Sequence, residues 1–437
     1  MIWIQLAVVL GAIFLGARLG GIAIGFAGGL GVVVLALLGV TPGEMPLDVI
    51  SIIMAVICAI AAMQIAGGMD YLVSLAERVL RRNPKHLTFL APAITYLMTV
   101  MAGTGHTAFS TMPVITEVAK ENNIRPSRPL SVAVVASQIA ITASPISAAV
   151  VFFASVLEPE GVGYLELLAI AIPSTFLACM LTALVMTLID RANPRSALEF
   201  DPVYQERLAR GAVTLRGEGT LELKPGAKRS VLIFLIGLVA VMGYATAISE
   251  RVGLIADPVM ARDQAIIAFM LTIATMIVVT SKVRPSEILN ASTFKSGMSA
   301  SICVLGVAWL GTTFVAAHRE SIEAFAGDTL RAQPWLLAVV LFFAAALLYS
   351  QAATTKALIP VALALGIAPA AAVAAFPAVS ALFVLPTYPT LLAAVEMDDT
   401  GSTRIGKAVF NHPFLLPGVL AISFAVALGF LFGSFIL

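Results

Sequence analysis

Two short polar clusters interrupt apolar stretches of this chain, and they are alike in make-up and spacing. The first is Gly103-Thr104-Gly105-His106-Thr107, with Pro113 six residues beyond Thr107; the second is Ser350-Gln351-Ala352-Ala353-Thr354-Thr355-Lys356, with Pro360 six beyond Thr354. About 30 residues on, each is followed by another broken polar patch, Thr142-Ala143-Ser144-Pro145-Ile146-Ser147 and Pro386-Thr387-Tyr388-Pro389-Thr390. Hydroxyls and amides at Thr104, Thr107, Ser144, Ser147, Ser350, Gln351, Thr354, Thr355, Thr387, Tyr388 and Thr390 can donate hydrogen bonds. Pro145, Pro386 and Pro389 break helices and free backbone groups, and Gly105 keeps the chain permissive beside them. Helix N-termini exposed at such breaks carry partial positive charge and free N–H groups, an anion site. Two ionisable groups, His106 and Lys356, sit at the tips, and both can be cationic. Facing each other, two such constellations would hold a small ligand with an anionic group at each end. For each Ser or Thr taken alone, the competing reading is a hydroxyl bonded back to its own helix or joining two helices.

Composition says what surrounds these clusters. Of 437 residues, 59% are hydrophobic and 12% charged, and mean hydropathy is +0.99. Soluble domains carry about 25% charged residues, so lipid must cover the excess apolar surface and the chain reads as a polytopic membrane protein. A net charge of +1 argues against nucleic-acid binding. Cys58, Cys179 and Cys303 lie in apolar spans and read as packing residues, neither disulfides nor metal ligands. Residues 1–15 lack a basic start and a small-residue cleavage site, so they read as a retained first span. The glycines from Gly20 to Gly31 lie in a hydrophobic span and read as close helix packing, not as a dinucleotide loop.

Full spans fall near 2–17, 19–40, 48–67, 130–156 and 164–189, then near 230–249, 263–281, 296–317, 371–395 and 413–437. The stretches 87–119 and 334–365 are each too long for one helix and are broken at the polar clusters. They read as re-entrant hairpins with tips near the midplane, and 130–156 and 371–395 as broken helices. Non-helical backbone at that depth survives only inside protein or beside a watery cavity. With both termini outside the cytoplasm, about 21 of the 26 Lys and Arg fall inside, as the positive-inside rule expects. The two hairpins then open to opposite sides. Each half runs through a span, an amphipathic stretch (Asp70–Arg82 and Arg319–Arg331), an Asn/Gln-Pro step, a hairpin and a broken helix. The expectation is an inverted repeat: 1–189, a cytoplasmic linker 190–229, and 230–437. Such interruptions at matching positions in two halves are the pattern of a secondary transporter's binding site.

No Asp or Glu falls deep in a span, which counts against a cation or proton antiporter. An intramembrane enzyme using His106 would need a base or metal at the same depth, and none is visible.

These residues also carry a family resemblance. Leu15–Gly21, Leu80–Lys85, Ala102–His106, Ile139–Ser147, Ser350–Lys356, Leu385–Thr390 and Met397-Asp398-Asp399-Thr400-Gly401 resemble the anaerobic C4-dicarboxylate transporter (Dcu) family, of the DcuA/DcuB type and nearer the DcuA branch. One departure is His106, where DcuA-like chains are expected to carry Asn. The resemblance runs end to end. It implies exchange of fumarate, succinate, malate or aspartate across the bacterial inner membrane, without a cofactor. It also implies an all-α elevator-type transporter with two inverted repeats, and a homodimer is expected. The triplets Gly105-His106-Thr107 and Ala352-Ala353-Thr354 stand where related transporters carry Ser/Thr/Asn tips. A sodium- or proton-coupled symporter remains the alternative mode of transport.

Overall fold

The structure is a computed structural model of the full chain. It describes residues 2–437 apart from Gly20, Gly21, Pro46, Pro194, 214–222, 249–253, Ala256, Ser292, Ser296, Ala300, Cys303, Val304, Val307, Ala308, Val315, 319–331, Tyr349, Pro386, Thr387 and 407–409. The described residues form helices and turns, with no strand among them.

Helices α1 (Ile2–Leu19) and α2 (Ala23–Leu37) pack on each other and on Leu310, sharing a small core of Val9, Ala12, Val32 and Leu35. Helix α3 (Leu47–Ile65) is apolar along its length and ends at Gly67, whose φ of +86° only glycine adopts freely. The chain then bends by 69° into α4 (Gly68–Arg82). Met69, Val73, Ala76 and Leu80 recur at helical spacing and are buried, while the charges face away, so α4 is amphipathic as expected for 70–82. The matching stretch 319–331 lies outside the described residues.

Helices α5 (Leu87–Ala102) and α6 (Ala108–Glu121) form the first hairpin. The Thr99 and Thr107 hydroxyls lie 2.8 Å apart, and those of Thr95 and Thr111 3.2 Å apart. The pairs step four residues down one helix and up the other, the register of antiparallel neighbours. Helix α7 (Ser127–Ile139) tightens into a 3₁₀ turn at Ala140–Ala143, gives way to extended backbone at Ser144, and resumes as α8 (Ala148–Leu157). Helix α9 (Tyr164–Ala192) follows. Helix α10 (Pro202–Ala209) lies in the linker, before α11 (Ala227–Ala247), α12 (Arg262–Ser281) and the single turn α13 (Pro285–Ile288).

The second half repeats the hairpin and the break. Helices α14 (Leu336–Leu348) and α15 (Gln351–Ala364) flank the second cluster. Helix α16 (Pro369–Ala375) runs into a 3₁₀ turn at Phe376–Ser380; the chain leaves helical geometry and resumes as α17 (Pro389–Met397), and α18 (Leu415–Ile436) closes it. This second break lies within the stretch 371–395 expected to hold a broken helix, and Pro386 and Thr387 in it lie outside the described residues. Helix resumes at Pro389, whose missing N–H costs nothing at a first helical position.

The largest core unites both hairpins, both broken helices, α9 and α18. Phe153 of α8 meets Phe376 with ring centroids 4.6 Å apart, so the broken helices of the two halves touch directly. A second core joins α3, α4, α11 and α12 and takes in Met98 of α5, Ile146 of the first break and Val151 of α8. Five described stretches are long and apolar enough to cross a membrane: Ser127–Glu160, Tyr164–Ala192, Ala227–Tyr244, Gln264–Ser281 and Leu415–Ile436, with the bent α3–α4 pair a sixth. Helix α2, at 15 residues, is shorter than the span expected near 19–40.

Candidate functional site

The breaks converge. Gly103 ends α5 at φ +66°, and a Cβ there would meet Ile146 Cγ1 at 3.0 Å, so the hairpin tip lies against the first broken helix. At Gly105 a Cβ would stand 3.2 Å from the Ser137 carbonyl of α7. Ser144 donates to the Val100 carbonyl at 2.7 Å, and Tyr164 donates to that of Pro145. These bonds satisfy backbone groups that the break frees, which matters where no water reaches. The two halves are then joined through Gln138. Its amide donates to Thr390 at the start of α17 (3.2 Å), and its backbone carbonyl accepts from Gln351 at the start of α15 (3.2 Å). Three broken elements thus meet at one glutamine, and the first hairpin tip lies beside it against Ser137.

Most hydroxyl protons at this centre are already committed. Thr354 donates to Ser350 O at 2.8 Å, Thr355 to Gln351 O at 2.7 Å, and Ser147 to Ile141 O at 2.7 Å. Thr107 shares its bond with Thr99 and leans on Thr104 O at 3.3 Å. Ser147 and Ser350 also cap their helices, accepting from Val150 N and Ala353 N, both at 3.2 Å. Their hydroxyls therefore shape the breaks. Thr104 and Tyr388 are half-buried and have partners of their own. Thr387 and the His106 side chain lie outside the described residues.

Two polar groups at the centre do have unused capacity. The side-chain oxygen of Gln138 is buried without a partner. So is the ammonium of Lys356, which is 1% exposed and stands 5.6 Å from the centroid of the Phe152 ring. An anion entering here would find one lysine, the Gln351 amide and the N-terminal turns of α6, α8, α15 and α17. Among the described residues no cluster of His, Cys, Asp and Glu is arranged to hold a metal.

Sequence reasoning chose the hydroxyl-bearing residues and passed over Gln138, Thr95, Thr99 and Thr111. A glutamine inside Ala136-Ser137-Gln138-Ile139 is the one signal that could have found the first of these: a long amide in an apolar span needs partners across helices. It also passed over an ionic node at the linker. Lys120 is buried between Glu117 (2.9 Å) and Asp399 (3.0 Å), and Asp398 accepts from Thr400, Ser402 and Thr403. Arg207 of α10 donates to the carbonyls of Asp398 and Asp399, and Arg404 reaches Asp201 at 3.3 Å. The linker, expected to be a small cytoplasmic element, is thereby tied to the loop after α17, and through Glu199 and Asn123 to the turn after α6.

Residues 1–437 match the DcuA/DcuB family, described as an anaerobic C4-dicarboxylate membrane transporter. The chain is similar to the C4-dicarboxylate transporter DcuA of Wolinella succinogenes, at 65% identity covering 100% of both chains. It is 59% identical to DcuA of Escherichia coli K12, again over 100% of each, and 36% identical to DcuB of Escherichia coli O6:H1 over 99% of this chain and 98% of the other. Its fold is similar to that of the YdaH transporter of Alcanivorax borkumensis, with a TM-score of 0.55 at 16% identity, covering 88% of this chain and 84% of that one.

Proposed function

This chain belongs to the DcuA/DcuB family of anaerobic C4-dicarboxylate membrane transporters, and from that premise we propose that it exchanges one C4-dicarboxylate for another across the bacterial inner membrane. Its relatives are transporters, not enzymes. Fumarate, succinate, malate and aspartate share two carboxylates at the ends of a four-carbon chain. The observation that carries the reading is the meeting of both hairpin tips and both broken helices about Gln138, with the buried ammonium of Lys356 beside Phe152. One carboxylate would lie at the α15 turn with Gln351 and Lys356, the other at the first hairpin tip around Thr104–Thr107.

The two cores support an elevator motion. Hairpins, broken helices, α9 and α18 form most of one apolar body, and α3, α4, α11 and α12 most of another, and a slide of the first past the second would exchange the contacts that Met98, Ile146 and Val151 make with the second. In this reading the two halves are inverted repeats, both termini are periplasmic, the 69° bend lays α4 along the membrane surface, and two copies pair through the scaffold. The test is counterflow in proteoliposomes loaded with unlabelled succinate. Uptake of labelled fumarate or aspartate that requires internal dicarboxylate and ignores sodium supports exchange; uptake driven by a sodium or proton gradient would make the protein a symporter.

A further inference from the structure

Lys356 differs from the other buried charges of the described residues. Glu117 and Lys120 pair with each other, Asp201 with Arg125 and Arg404, and Asp398 takes hydrogen bonds from its own loop. Lys356 is 1% exposed, and its ammonium has no hydrogen-bond partner. The ring of Phe152, 5.6 Å away, is a weak substitute for water. Its surroundings worsen the problem. Helices α8 and α15 pack together, and Phe152 and Lys356 each lie in the second turn from the N-terminus of their helix. Neither helix start brings a negative side chain, Ala148–Phe152 and Gln351–Thr355 being uncharged, so a lone cation in such a place is strongly unfavourable.

The place also matters for motion. Phe152 and Ala352 pack with Ile57 and Ile50 of α3 and with Phe294, in a small cluster between the hairpin core and the α3 scaffold. Lys356 therefore stands at the border across which one body would slide past the other. The ammonium offers one positive charge to a dianion, and the free N–H groups of the two helix starts can bind its oxygens.

We propose that Lys356 holds back the empty transporter: its uncompensated charge bars the unloaded core from crossing, and a bound dicarboxylate offsets it and releases the motion. This rests on the exchange reading above and gives it a residue. A transporter whose empty form cannot return must exchange, so the coupling would lie in one buried ammonium and would need no second ion.

The test compares wild type, Lys356→Met and Lys356→Arg in proteoliposomes loaded with labelled succinate, with efflux measured with and without external succinate. Wild type should exchange at least tenfold faster than it leaks; if it does not, the exchange reading itself fails, whatever the variants do. Lys356→Met should bring the ratio of exchange to net efflux to within about twofold of one, and Lys356→Arg should keep the wild-type ratio. Thermal unfolding gives a readout that does not depend on flux. Removing an uncompensated charge should raise the Tm of the unliganded Lys356→Met protein while shrinking its stabilisation by succinate. A wild-type ratio in Lys356→Met overturns the proposal. Loss of both fluxes does too, because the lysine would then serve binding alone, and so does a variant that unfolds earlier or fails to fold.

Discussion

Gln138 carries more of the site than any residue that its neighbours' chemistry would have singled out. It links α7 to α15 through its carbonyl and to α17 through its amide. A buried hydrogen bond contributes about 1 kcal/mol net, and leaving a partner unsatisfied costs more. Gln138→Leu, similar in size, removes the bond to Thr390 and leaves that hydroxyl buried. The expected outcome is a rise of roughly tenfold in the KM for dicarboxylate exchange, read by counterflow with the protein still monodisperse in detergent. The hydroxyls of the polar clusters were legible as a set in the sequence. Their roles were not, because a threonine that bonds back to its helix and one that faces a ligand look alike until the neighbours are placed. Thr354 and Thr355 bond back; the Gln351 amide reaches across to α7 instead.

At the level of elements, the breaks obey local rules. Gly103 can take φ +66° where other residues are strained, Pro145 lacks the donor a continuing helix needs, and Ser147 caps α8. These features need only a few consecutive residues, so the interruptions at Gly103–Thr107 and Thr142–Ser147 could be read from the sequence alone. Gly103 joins both scales. Gly103→Val adds a left-handed branched residue and drives its side chain into Ile146, 3.0 Å from where the Cβ would stand. The backbone term alone costs about 1–2 kcal/mol. Thermal unfolding should show a loss of at least that size, and the exchange rate should drop more than tenfold because the tip can no longer rest on the first broken helix.

For the whole molecule the testable quantity is topology. With all 3 native cysteines replaced, single cysteines at the exposed positions Thr41 and Glu160 should react with a membrane-impermeant maleimide in right-side-out vesicles. Cysteines at Glu206 and at Arg284, whose side chain is 83% exposed, should react only in inverted ones. Labelling from the same side in all four would overturn the periplasmic placement of both termini. The sequence by itself determined that lipid covers this chain and where proline and glycine interrupt its apolar stretches, because composition, proline and glycine act through a few neighbours or through simple counting. Only the tertiary structure decided that Gln138 joins segments more than 200 residues apart, that the linker is pinned to the loop after Met397, and that Lys356 alone among the described buried Asp, Glu and Lys residues is left without a partner. Each of these depends on which polar groups come within hydrogen-bond reach across the fold, and that is set by how the helices pack.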